Sequence, residues 1–315
     1  SNPWIRGIFF FVLLGFLVIT NIRGAKQGVT LIKWITIIKL LPLFGIIIFG
    51  FSMINPENLR WEHLPSVSTF GNTALILFFA FAGFETALGA SGEIKNPQRT
   101  IPWGILIGGG TVIIIYLLIQ IVTQGVLGPR MLSVKEAPLA AVAQSIVGIV
   151  GSTLLLVAAA ISTFGSVSTD VLNTPRVLYA GANDGLFPKF LGEIHKKYAT
   201  PYWSIICFAG LIFIFSISGG FRQLAILASA AILLIYLLVI IATIKMRSIK
   251  QETTEKTFKV PGGLIIPSIG IVSILWLLTS LSTWEILSTI IFIAVICVVY
   301  FIMKWMNKRT KTLKN

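Results

Sequence analysis

Asn72-Thr-Ala-Leu-Ile-Leu-Phe-Phe-Ala-Phe-Ala-Gly-Phe-Glu85-Thr-Ala-Leu-Gly-Ala-Ser-Gly-Glu93 is the stretch on which the fold turns. No charge precedes Glu85 in it, and its apolar residues run on without alternating. A strand of a membrane barrel would alternate over about 10 residues, whereas a continuous run of about 20 is what a helix needs to cross a hydrocarbon core about 30 Å thick. Working outward, similar runs occupy about 5–22, 29–52, 72–94, 102–127, 139–166, 202–218, 224–244, 264–281 and 285–303. The chain is therefore expected to be an all-α integral membrane protein, one transmembrane domain over 1–315 with nine spans.

Composition agrees. Of 315 residues, 56% are hydrophobic and 11% charged, and the mean hydropathy is +0.91. A soluble domain of this length must turn about half its residues to water and has no place for so much apolar surface. The lipid bilayer is thus the first expected partner. Cys207 and Cys297 lie inside apolar runs and read as packing residues, not as a disulfide or metal pair. No nucleophile–base pair and no metal set stands out, so neither an enzyme nor a cofactor is expected.

The net charge of +14 would suggest nucleic acid in a soluble chain. Here its placement says otherwise. The loops after the first, third, fifth and seventh runs, with the tail 304–315, hold 18 of the 25 basic residues, and the opposite loops hold five. Positive charge gathers on the cytoplasmic side, so the C-terminus is expected inside, in a multi-pass protein of the cell membrane. The basic loops set topology and meet anionic lipid, with no nucleic-acid role. An outside start without Met implies a longer protein, with an odd number of spans upstream.

Four places carry candidate chemistry. Phe79 to Glu85 joins small residues, a glycine and a carboxylate at membrane depth. A helix broken there can hold an anionic group on freed N–H donors, and the alternative is a glycine at a close helix–helix contact. Glu85 is the most deeply placed acid, either in direct contact with a ligand or capping broken backbone. Lys39 lies six residues beyond Lys33, about 9 Å further along a helix. That depth disfavours its charged form and suits it to take up and release a proton, or to pair with an acid such as Glu85. Pro42 follows within a turn and is expected to bend the helix. Ser162, Thr163 and Ser166 can face a cavity or bond to their own helix carbonyls. Finally, Thr174 and Pro175 read as the cap and first position of a short cytoplasmic amphipathic helix that Gly185 and Pro188 end.

Phe79-Ala-Phe-Ala-Gly-Phe-Glu85, with Gly92-Glu-Ile-Lys-Asn-Pro-Gln-Arg-Thr-Ile-Pro102, resembles the sixth span and following loop of the amino acid–polyamine–organocation transporters. Thr174-Pro-Arg-Val-Leu-Tyr-Ala and Asp184-Gly-Leu-Phe-Pro188 resemble that family's loop after span eight. Trp103 departs from the loop pattern, where a basic residue is typical. The resemblance covers essentially the whole chain and makes its runs family spans four to twelve, with the first three upstream. It implies a fold of two inverted five-helix repeats plus two helices, with substrate held at a central break. Ala80, Phe81, Ala82, Gly83, Phe84 and Glu85 would then bind substrate, Phe81 as a lid. Lys39 matches a fifth-span lysine that takes the place of a sodium ion in some proton-coupled members, faced by Ser162 and Thr163. The implied partners are an amino acid or amine and protons. The implied function is proton-coupled symport, with exchange or a non-transporting sensor as the rivals.

Overall fold

The computed structural model describes residues 3–23, 29–60, 64–84, 94–218, 220–248 and 262–312. All regular structure among them is helical: α1 (Pro3–Ile22), α2 (Val29–Phe51), α3 (Val67–Ala80), α4 (Pro97–Leu127), α5 (Pro138–Val147), α6 (Ile149–Asn183), α7 (Tyr202–Ser218), α8 (Phe221–Ser248), α9 (Ile265–Thr279) and α10 (Thr283–Thr312). Short 3-10 turns lie at Pro56–Leu59, Gly128–Leu132 and Lys189–Gly192. Five of the described helices are long and apolar enough to cross a membrane: Pro3–Ile22, Pro97–Leu132, Ile149–Asn183, Phe221–Arg247 and Thr283–Trp305. Large apolar side chains stand exposed along them, Leu117 and Leu238 among others. That is unfavourable in water and ordinary where lipid is the solvent.

The chain forms two compact units. The first comprises Ser1–Trp61, Tyr116–Ser218 and Ile296–Asn315. Its core has two centres. Ile46 of α2 meets Val122 and Leu127 of α4, Ala140, Val142 and Ala143 of α5, and Leu155 of α6. Leu17 of α1, Val171 of α6 and Ile205 of α7 form the other. The helices come close because the contact residues are small. A Cβ on Gly50 would lie 2.5 Å from the Val122 side chain, so glycine at this position leaves room for Val122 against α2. Beyond the end of α2, Asn58 donates its side-chain amide to the Gly125 carbonyl at 2.8 Å.

The two core centres also give directions. The C-terminal part of α2 shares a cluster with the start of α6, whereas the C-terminal part of α1 shares one with the second half of α6. The Thr200 hydroxyl donates to the Ile22 carbonyl at 2.8 Å, so α1 ends at the level where α7 begins. Hence α1 runs parallel to α6, while α2 and α7 run antiparallel to it.

The second unit comprises Glu62–Ile115 and Gly219–Val295. Leu75 of α3 packs with Ile226, Ala230 and Leu233 of α8 and with Ile274 and Leu281 beyond it. Ser229, fully buried, satisfies its hydroxyl on the Leu75 carbonyl at 3.0 Å.

Two expectations are corrected. The run 139–166 is not one helix: α5 and α6 meet at Gly148, whose φ of +70° turns the chain. The apolar residues on both sides hide that turn in the sequence. Nor do Thr174 and Pro175 start a helix. Both lie inside α6, which continues to Asn183, and Pro175 is fully buried. Packing on α1 and α7 keeps the chain helical there despite the lost N–H. The expected stop does hold: the Leu186 N–H bonds to Gly181 O at 2.8 Å, and Gly185 takes a φ of +78°.

Candidate functional site

α3 stops at Ala80 in the middle of the Phe79–Glu85 motif. Its last turn tightens: the Phe81 N–H bonds to Phe78 O at 3.0 Å and the Ala82 N–H to Phe79 O at 3.2 Å. Gly83 then takes a φ of +114°, a conformation that side-chain-bearing residues rarely adopt. Among the described residues, an ideal Cβ at Gly83 meets nothing within 4 Å. The backbone conformation at Gly83 by itself calls for glycine. The C-terminal end of a helix carries partial negative charge and suits a cation such as an ammonium group. Ala80, Gly83 and Phe84 are exposed, and Phe81 and Ala82 are half-buried. Glu85 lies outside the described residues.

One aromatic residue straddles the break. The Tyr236 ring of α8 meets Phe78 edge-on at 6.0 Å on one side and Phe84 at 5.8 Å on the other. Phe79 also packs edge-on against Phe221, at 5.8 Å. Sequence reasoning missed Tyr236. The available signal was a lone phenol in an otherwise aliphatic run, Ala231-Ile-Leu-Leu-Ile-Tyr-Leu-Leu238.

Lys39, Ser162 and Thr163 belong to the first unit. Lys39 is exposed on α2, three residues before Pro42, through which the helix continues. Ile46 and Leu155 share a core cluster. Lys39 lies seven residues before Ile46, and Ser162 seven after Leu155. Seven residues are about two turns, so on antiparallel helices Lys39 and Ser162 stand at about one level. Ser162 is half-buried. Thr163 is exposed and donates its hydroxyl to its own helix, to Ala159 O at 2.9 Å. The first unit also has an open cavity of about 590 Å³, lined by Ser133, Lys135, Glu136, Gln144 and Ser152 among others, away from these residues. Among the described residues, no cluster of three or more His, Cys, Asp or Glu side chains could hold a metal.

A family profile described as "Amino acid permease" matches residues 1–314. The chain is 26% identical over 281 residues to the branched-chain amino acid permease BcaP of Bacillus subtilis (strain 168), covering 89% of this chain and 60% of that protein. It is 29% identical over 292 residues to the methylthioribose transporter of the same organism, again covering 89% and 60%. The serine/threonine exchanger SteT, also of Bacillus subtilis, is 26% identical over 276 residues, with 84% and 61% covered. The chain thus spans about six tenths of the length of the curated relatives it matches. These relatives are permeases and transporters rather than enzymes. A match that runs from the first residue to the last but one leaves nothing of substance outside it: the chain is a multi-pass membrane protein of the amino acid permease family.

Proposed function

We propose that the chain works as a secondary active transporter of amino acids in the cell membrane, coupling uptake to protons by alternating access. The observation that carries this reading is the end of α3 at Ala80 with Gly83 at a φ of +114°, within a permease-family chain. Broken helices at membrane depth are tolerated where they line a cavity, and their ends bind charged groups. In this reading Ala80 to Glu85 bind substrate, with Phe81 as a lid. Nine spans form the inverted-repeat arrangement, and the C-terminus is cytoplasmic. Lys39 holds a proton while substrate binds, releases it on the cytoplasmic side, and is faced by Ser162. The matched register of Lys39 and Ser162 on α2 and α6 supports that pairing.

The test is uptake of a labelled amino-acid panel into proteoliposomes, with and without an inward proton gradient. Gradient-driven uptake of one substrate class is expected, and Lys39→Ala should cut the gradient-dependent part at least about tenfold, a change of about 1.4 kcal/mol. Unchanged pH dependence in that variant would remove Lys39 from the mechanism. The similarity to SteT favours one second reading, exchange of one amino acid for another. Uptake only into vesicles preloaded with amino acid would select it.

A further inference from the structure

The connection from α6 to α7 is firmly built. The buried Ser204 hydroxyl donates to Leu191 O at 2.8 Å. The His195 N–H bonds to Thr200 O at 2.8 Å, and the Ala199 N–H to His195 O at 2.9 Å. The imidazole Nδ1 accepts the N–H groups of Lys197 and Tyr198, at 3.2 and 3.4 Å. Thr200 ties the turn to the last residue of α1, next to Arg23.

On this frame the side chains are sorted in an unusual way. A row of rings runs along it: Phe190 on Trp203 at 6.0 Å, Trp203 on Tyr202 at 5.3 Å, Tyr202 on His195 at 5.6 Å, and His195 on Tyr198 at 4.8 Å. Phe190, Ile194 and Trp203 remain 43%, 49% and 38% exposed, which a turn facing water alone would avoid. Exposed cations flank the rings: Lys189, Lys196, Lys197 and, across the Thr200 joint, Arg23. Lys197 lies over the Tyr198 ring at 5.5 Å. Glu193 accepts the Tyr202 hydroxyl at 3.1 Å.

We propose that this turn is a seat for an anionic phospholipid of the leaflet it borders, with Lys196, Lys197 and Arg23 on the phosphate and Trp203, Phe190 and Ile194 against the glycerol and upper acyl chain. The level fits, because α1 ends and α7 begins there. Exposed aromatic and apolar side chains beside lysines are the chemistry of a membrane interface. A soluble polyanion would use the cations and leave the exposed Trp203, Phe190 and Ile194 without a partner.

The test uses the purified protein in nanodiscs containing brominated phosphatidylglycerol or brominated phosphatidylcholine. The signal is the tryptophan quenching lost in Trp203→Phe, which isolates this ring from the other seven tryptophans. Stronger quenching by phosphatidylglycerol is expected. In Lys196→Gln/Lys197→Gln the preference should fall about fivefold for each lysine removed. Lys196→Arg/Lys197→Arg should keep it, as should excess inorganic phosphate. Equal quenching by the two lipids in the unaltered protein would overturn the seat. So would a preference retained by the glutamine variant, or one abolished by inorganic phosphate, which would mean a small-anion site instead. If the glutamine variant fails to fold, the lipid comparison in the unaltered protein still decides.

Discussion

Two residues known for breaking helices meet opposite fates here. Pro175 lies inside α6 and the helix passes through it, whereas Gly83 lies just past Ala80 and the helix has ended. Intrinsic cost points the other way, since a proline inside a helix costs about 3 kcal/mol and a glycine about 1. Surroundings decide. Pro175 is fully buried, next to a core of Leu17, Val171 and Ile205 that only a helix can present. Around Gly83 no described residue lies within 4 Å of the Cβ position. Burial holds a helix together through a defect, and a residue without such packing among the described residues sits where the helix ends. Where a helix ends is thus as much a property of what packs on it as of the residue within it.

The sharpest way to break that contrast is Gly83→Val. A β-branched residue at this φ carries strain of about 1–3 kcal/mol, and transport measured in proteoliposomes should fall about 5- to 150-fold while helix content stays constant. Full activity would mean that the turn is not needed. Tyr236→Leu comes next. It removes the ring that holds Phe78 and Phe84 across the break, two pairs worth about 0.5–1.5 kcal/mol each, so substrate affinity should weaken by up to about 150-fold. Saturation binding checks this. A packed glycine should behave differently. Gly50→Val drives a methyl into Val122 and should cost about 1–3 kcal/mol of stability, read as a lowered melting temperature in detergent. Pro175→Ala should matter least. It restores a backbone bond and loses part of a buried ring, so stability should shift by only about 1–2 kcal/mol, with uptake unchanged. A large loss of uptake in Pro175→Ala would show that the continuous helix depends on the proline for function.

The legible parts of the sequence were those that depend on neighbours along the chain. Apolar runs betray helices because the bilayer demands length from each segment by itself. At Ala82 and Gly83 the sequence left two readings open, a broken helix and a close helix–helix contact, because the φ of Gly83 is not written in its neighbours. The misreadings share one cause. Pro175 stays helical because of Leu17 and Ile205, far away in sequence. Tyr236 joins the site through residues about 150 positions earlier. The turn at Gly148 is masked by Val147 and Ile149, apolar residues that read as an unbroken span. The level shared by Lys39 and Ser162 follows only from knowing that α2 and α6 are antiparallel.

The length of α6 has a mechanical side. Its 35 residues extend about 52 Å, well beyond a hydrocarbon core of about 30 Å. A helix of that length, moving as one body, would be a lever. Tilting it by about 10° about its midpoint would carry each tip roughly 4–5 Å sideways. Ser162, only about 6 Å from that midpoint, would shift by about 1 Å. A distance probe placed at Asn183 therefore reads the rotation at several times the gain of one placed at Ser162.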